Sequence, residues 1–420
     1  MYDALVAHHL LVAHEEVPLE TALAPGAYRV LRPDRIPVVT LPYEWCFSQL
    51  RAAALLTLDV QAMALAHGMI LKDASGFNIL FRGSSPVFID TLSFARLEKG
   101  QPWLAYRQFC QHFLAPLAIQ AFVDVRLREL QRSYLDGVPL DLASRLLPPA
   151  TWLHPWALIH IHLHARAVAR FAPTHKGTSP KNRKVSQSGL EGLTAHLRSA
   201  VNGIDWKPET TEWSTYEDSH AYSAAAHNSK RLTVERILRG AAPTRVLDLG
   251  ANTGEYSRLA RSIGAEVIAV DGDPAAVEKM FKRCVRERES GITTLCLDLA
   301  NPSAEKGWAH EEWPSFSTRA RADVVLALAL VHHLAIGNNV PLPEIASYLA
   351  RLGQRVVIEW VPKQDSQVQR LLSSRKDIFS SYTEERFVAA MKECFVIESR
   401  TEIDSSGRVI YSLLKKNVTR

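Results

Sequence analysis

The chain lacks most of what would anchor, export or staple it. No apolar run reaches the roughly 18 residues a membrane-spanning helix needs. The opening residues, MYDALVAHHLLVAHEEVPLE, have neither a basic start nor a small-residue cleavage site, so no secretory leader is expected. Cysteine is scarce: five residues, at 46, 110, 284, 296 and 394, with no close pair. That pattern argues against disulfides and zinc sites, and for buried thiols in a reducing compartment. The expectation is a cytoplasmic protein without a metal and without a membrane partner. Strong charge of one sign is also missing. A net +5 over 420 residues is too small to indicate nucleic-acid binding. No internal repeat is visible, and nothing in the sequence states an oligomeric state.

What is present divides in two, as expected for a length beyond one ordinary core. Residues 1–172 read as a mainly helical, α+β domain. FSQLRAAALLTLDVQAMALAHG has apolar residues at helical spacing and ends in Gly68, a C-cap candidate. WLAYRQFCQHFLAPLAIQAFVDVRLREL and HPWALIHIHLHARAVARF are helical too, and the first forty-odd residues have room for two or three short strands. Residues 173–195, rich in Lys, Ser, Gly, Pro and Asn, read as a basic flexible linker. Residues 196–420 alternate strand candidates (245–250, 266–271, 293–298, 323–329, 355–360) with helical stretches, then end in FVIESRTEI and RVIYSLLKK around DSSG. That is α/β grammar: a doubly wound, Rossmann-like parallel sheet finished by an antiparallel hairpin.

The chemistry concentrates in RVLDLGANTGEYSRLA, a strand, a glycine turn and a helix. Gly250 and Gly254 permit a tight turn and close backbone approach to a ligand. Asp271 ends the next strand, where a carboxylate can accept both hydroxyls of a ribose, and Asp298 ends the third, in reach of an adenine amine. A nucleotide-free sheet with charged strand ends is the plain alternative. The turn is not the G-x-G-x-x-G of a nicotinamide site.

On LDLGANTGEYS, VIAVDGDPAAV and the terminal hairpin, residues 213–414 resemble the class I S-adenosylmethionine-dependent methyltransferases. The family's middle glycine is Asn252 here. The resemblance implies S-adenosylmethionine as cofactor, with Asp248 and Gly250 at its methionine end, Asp271 on the ribose, and Asp298 and Leu299 framing the adenine. It also implies a lid-side helix in YSAAAHNSKRLTVERIL, with Tyr222 and Lys230 as contacts. The acceptor belongs at the carboxyl ends of the fourth and fifth strands. His332 or His333 could take a proton from an oxygen or nitrogen acceptor, and Glu359 could do so or bind an acceptor amine. Positioning alone can suffice for displacement at a sulfonium. VPKQDSQVQRLLSSRKDIFSSYTEERF, between the fifth strand and the hairpin, reads as a substrate-facing insertion or as plain surface charge.

A second motif competes. ILKDASGFNILFRGSSPVFIDTLSF spaces Asp73, Asn78 and Asp90 as a kinase spaces its catalytic base and magnesium ligands. It resembles aminoglycoside-type and protein kinases, with NILF and PVFID as paired short strands and VVTLPYEW as a hinge strand. Leu71 stands where the catalytic-loop His would be, and only about 40 residues precede the hinge, too few for a glycine-rich loop and its Lys. The alternatives are therefore a kinase-derived domain without catalysis, a bifunctional phosphotransferase and methyltransferase, or a non-catalytic cofactor-binding scaffold. The same stretch, with PYEWCFSQLRAAALLTLDVQ and GQPWLAYRQFCQHFLAPLA, is similar to a bacterial group of two-part methyltransferases that includes NoeA-like nodulation proteins. The expected acceptor is a small molecule, a saccharide or a peptide precursor. His160 and His164, four apart on a helix, lack a visible third ligand and read as packing; Cys110 beside His112 reads as core.

Overall fold

The computed structural model describes residues 1–170, 184–208, 223–373, 375–404 and 406–416. It divides into two compact units, Met1–Lys207 and Pro208–Arg420. Among the described residues no helix is long and apolar enough to cross a membrane.

The first unit is built on the helix Phe47–Ala66, an Ala- and Leu-rich run free of Gly and Pro. Gln49 caps its start by accepting from the Cys46 amide at 3.0 Å, and Gly68, at φ +68°, turns the chain beyond its end. Its apolar faces are buried on several sides. Six short strands form three antiparallel pairs: β1 (His14–Val17) with β2 (Val30–Pro33), β3 (Met69–Leu71) with β6 (Phe94–Arg96), and β4 (Ile79–Arg82) with β5 (Ser85–Phe88). The β4–β5 pair is the expected NILF–PVFID hairpin. The expected hinge strand at 38–45 is instead irregular chain ending in the 3-10 turn Pro42–Glu44. Pro37 and Pro42 offer no amide to a ladder, and Glu44 and Thr40 take local donors, the Leu41 amide and the Trp45 indole.

The domain boundary also falls elsewhere than expected. The second half of the expected 173–195 linker, and the start of the expected 196–420 domain, form the helix Gln187–Gly203 within the first unit. Its buried Leu190, Thr194, Leu197 and Val201 follow helical spacing, and it packs on Phe47–Ala66. Arg198 pairs with Asp59, and Arg51 donates to the Asn202 carbonyl at 2.8 Å. The linker's residues 173–183 lie outside the described residues.

The second unit is one seven-stranded sheet. Five strands run parallel: β7 (Arg245–Leu249), β8 (Glu266–Asp271), β9 (Ile292–Cys296), β10 (Ala322–Ala327) and β11 (Gly353–Trp360). The hairpin β12 (Phe395–Glu402) and β13 (Val409–Lys415) completes the order β12-β13-β11-β10-β7-β8-β9. β13 pairs antiparallel with β11, Glu359 opposite Ile410. β7 to β11 are almost continuously apolar and buried, as parallel strands covered on both faces must be. The order reverses between β7 and β10, so the carboxyl ends of the strands open into a crevice there.

Candidate functional site

The glycine turn between β7 and the helix Glu255–Ser262 takes left-handed backbone at Gly250 (φ +74°), Asn252 (φ +50°) and Gly254 (φ +88°). Asn is the non-glycine residue that tolerates this region best, which accounts for its place in the turn. The amides of Gly250 and Ala251 both donate to the Val270 carbonyl at 2.9 Å, fastening the turn to β8. A side chain at Gly254 would place its Cβ 2.7 Å from the Met280 sulfur.

Asp271, at the tip of β8, accepts from the Asn252 amide (2.8 Å, Oδ2) and the Asp273 amide (2.8 Å, Oδ1). Each carboxylate oxygen keeps a further lone pair for a ligand hydroxyl. Burial raises its pKa against the pull of these amides. Asp248, 2 % exposed, accepts from the Ser257 hydroxyl at 2.6 Å, and burial pushes its carboxyl up to about 6. Asp298 is exposed and Leu299 half-buried just past β9; the Asp298 Cα lies 3.9 Å from where a Gly272 side chain would begin, so the ends of β8 and β9 meet. Arg258, not singled out by the sequence, braces the turn by donating to the Thr253 carbonyl (2.9 Å) while paired with Glu289 (3.1 Å).

The carboxyl ends of β10 and β11 adjoin a buried chain of charges. Lys230, on the helix Ala224–Ala241, lies 2.7 Å from Glu359 at the end of β11. Arg408, at the entry to β13, reaches Glu359 at 3.4 Å and Asp365 at 2.7 Å. Lys230, Glu359 and Arg408 are respectively 5 %, 0 % and 1 % exposed. Lys230 and Glu359, which the sequence reading assigned to cofactor and acceptor, are thus partners of each other. Tyr222, the other expected lid contact, lies outside the described residues. The Lys230 ammonium sits 5.1 Å over the Tyr256 ring, whose hydroxyl is buried and finds no hydrogen-bond partner among the described residues.

His332 and His333 follow β10, ring centroids 4.1 Å apart. His332 is 1 % exposed, and its buried Nδ1 finds no hydrogen-bond partner among the described residues. Burial holds the His332 pKa well below the usual value and that of His333 at about 4, with Arg408 adding to both shifts. The insertion after β11 closes over this turn: Arg375 donates to the carbonyls of Ile336 (2.5 Å) and Gly337 (3.2 Å).

Two of the three kinase-like residues of the first unit, Asn78 and Asp90, are joined through Ser93. The Ser93 hydroxyl donates to Asp90 at 2.5 Å and accepts from the Asn78 amide at 3.3 Å; Asp73 accepts from the Ser75 amide at 2.9 Å. No group of three His, Cys, Asp or Glu among the described residues is placed to hold a metal. His160 has both nitrogens engaged, by the Tyr106 hydroxyl (2.6 Å) and His196 (2.7 Å), and His164 stacks on Tyr106. Cys110 is fully buried.

No family model matches the chain. It is 36 % identical over 389 residues, 91 % of this chain and 81 % of the relative, to nodulation protein NoeA of Rhizobium meliloti (strain 1021). The chain belongs to the NoeA family. Among solved structures, this NoeA-family chain is similar to the N-methyltransferase NodS from Bradyrhizobium japonicum WM9 (13 % identity, 46 % of this chain and 98 % of that one, TM-score 0.35). It is also similar to the bifunctional kinase-methyltransferase WbdD (14 %, 48 % and 41 %, 0.33) and to magnesium protoporphyrin IX methyltransferase from Synechocystis PCC 6803 with bound SAH (16 %, 50 % and 90 %, 0.34). The class I methyltransferase fold of the second unit rests on its strand order and antiparallel seventh strand, not on these likenesses.

Proposed function

We propose that this NoeA-family chain transfers a methyl group from S-adenosylmethionine to a small-molecule, saccharide or peptide-precursor acceptor. The observation that carries the reading is the left-handed turn at 250–254, fastened to β8 and presenting Asp271 at its edge. The residues fit the cofactor. The left-handed turn packs against Met280 at Gly254, Asp271 has lone pairs for ribose hydroxyls, and Asp298 and Leu299 lie at the adjoining strand end for the adenine. Asp248 and the unpartnered Tyr256 hydroxyl serve the methionine end. When bound, the group supplies a methyl already activated on a sulfonium.

The chain's own work is then positioning and exclusion of water. Lys230, Glu359, Arg408 and Asp365 tie the lid helix, β11, the insertion and the hairpin into one wall at the carboxyl end of the sheet. Glu359 carries a cation on each side, an arrangement suited to holding the wall rather than to base catalysis. In the first unit the Ser93 hydroxyl joins the two residues that a magnesium ion would need. That favours a non-catalytic, acceptor-orienting role for this unit over phosphotransfer.

The test is thermal unfolding with the demethylated product, S-adenosylhomocysteine. At one hundred times its Kd the ligand adds about 2.7 kcal/mol, a clear rise in melting temperature. No rise at millimolar ligand sinks the reading.

A further inference from the structure

The glycine turn is fastened by backbone on one side and by a side chain on the other. The Gly250 and Ala251 amides donate to the Val270 carbonyl, and the Asn252 amide donates to Asp271. Arg258 holds the opposite end. Its Nη1 donates to the Thr253 carbonyl at 2.9 Å and lies 3.4 Å from where a Gly254 side chain would begin. Its Nε faces both oxygens of Glu289, at 3.1 and 3.3 Å. A planar guanidinium suits two partners in fixed directions. Glu289 stands outside the turn: the helix Pro274–Glu287 ends at Arg288, whose left-handed backbone (φ +54°) reverses the chain just before it. The pair is partly buried, with side chains 16 % and 21 % exposed, so solvent and salt screen it less than a surface pair. Arg261, on the same helix, covers Gly291 in that reversal instead and donates to the Gly264 and Ala265 carbonyls (3.4 and 3.2 Å).

We infer that Arg258 is a positioning residue for the cofactor and that Glu289 acts through it, the pair holding the Thr253–Gly254 peptide in its binding orientation before the ligand arrives. The inference rests on the methyltransferase reading and deepens it. Three left-handed residues within five positions, one of them Asn252, make a turn that relaxes unless it is held. The Thr253–Gly254 peptide sets the direction in which the helix Glu255–Ser262 starts, and so where its first amides point. A turn that is competent only part of the time binds its ligand more weakly by that fraction. A hydrogen bond from a charged donor is worth roughly 10- to 100-fold in an equilibrium constant. Releasing the Thr253 carbonyl should therefore cost about tenfold or more in affinity.

The full-length protein and its variants are titrated with S-adenosylhomocysteine well below their melting temperatures. Arg258→Met is expected to weaken binding by about tenfold or more. Glu289→Gln, which leaves Arg258 in place but removes the charge that aligns it, should weaken binding by about threefold or more. The double variant should match Arg258→Met alone, since Glu289 works through Arg258. Arg261→Gln is the control for a merely structural role: it should lower the melting temperature and leave affinity within about twofold. An Arg258→Met protein that binds like the unsubstituted one, or an Arg261→Gln protein weakened as much, overturns the inference and leaves the methyltransferase reading standing. So do losses that add in the double variant, which would separate Glu289 from Arg258. Absence of binding by the unsubstituted protein removes the methyltransferase reading as well. Should Arg258→Met fail to fold, hydrogen exchange of ligand-free Glu289→Gln reads the same point. The Gly254 and Arg258 amides, bonded to the Ala251 and Gly254 carbonyls, should exchange about threefold faster or more while those of β7 keep their rates. Unchanged exchange at Gly254 and Arg258 overturns the inference.

Discussion

Replacing Gly254 by alanine puts two separable costs on the glycine turn at 250–254. The residue sits at φ +88°, a region that costs a side-chain-bearing residue roughly 1–2 kcal/mol. The new Cβ would also lie 2.7 Å from the Met280 sulfur and 3.1 Å from its Cγ. Relieving that overlap costs about 1–3 kcal/mol, toward the low end because methionine is unbranched and can repack. The sum is about 2–4 kcal/mol, and each kcal/mol lowers the melting temperature of a unit this size by roughly 2–4 °C. Gly264 supplies the control: its φ is +97°, and nothing lies within 4 Å of its would-be Cβ. Gly264→Ala should therefore show the backbone cost alone, while Gly254→Ala shows both and weakens S-adenosylhomocysteine binding. Scanning calorimetry of the two variants, with ligand titration of each, checks this. Equal losses of stability, or a Gly254→Ala protein that binds the ligand like the parent, would refute the packing argument.

Lys230→Met should cost about 3–5 kcal/mol by leaving Glu359 short of a buried cation, and Lys230→Met with Glu359→Gln should recover most of it; a strictly additive double variant, by denaturant unfolding, contradicts the pairing. Acid should weaken the first unit more than the second. Burial holds His112 and His160 at about 4, so between there and about 6.5 the unfolded chain binds the extra protons, and stability falls with pH by up to about 1.4 kcal/mol per unit for each. In the second unit His332 and His333 act in the same direction, but Asp248 and Asp271, raised by burial, take up protons on the folded side and offset part of the loss. Hydrogen exchange at about pH 7 and 5, corrected for intrinsic rates, should show protection falling faster in the first unit; equal losses contradict this. Magnesium with ATP should leave the melting temperature unchanged, and a rise that Asp90→Ala abolishes would reinstate phosphotransfer.

The second unit was largely legible because its signals are local. Each parallel strand is a short buried run closed by a turn, and β7 to β11 fall within about two residues of the expected spans. Asp271 was findable because a fixed crossover puts the tip of the second strand beside the glycine turn. The charged wall was not. Arg408 stands 178 positions after Lys230, beside a hairpin turn with no motif around it, and only the β11–β13 pairing brings it to Glu359. Tyr256 carries no signal as a residue of a helix's first turn; that its hydroxyl meets no partner among the described residues is a tertiary fact. The helix Gln187–Gly203 was missed for a different reason. Its polar, Gly- and Ser-containing start continues the composition of the preceding linker, and its buried stripe of Leu190, Leu197 and Val201 is thin. The kinase-like spacing was visible, but the Ser93 hydroxyl between Asn78 and Asp90 depends on a loop that spacing alone does not describe.

Isothermal titration of the full-length protein with S-adenosylhomocysteine, beside Asp271→Ala, tests the central claim most directly. The account predicts saturable one-to-one binding that the substitution weakens by about 1–3 kcal/mol through loss of the ribose contact. No heat at millimolar ligand, or equal affinity in the two proteins, would contradict it.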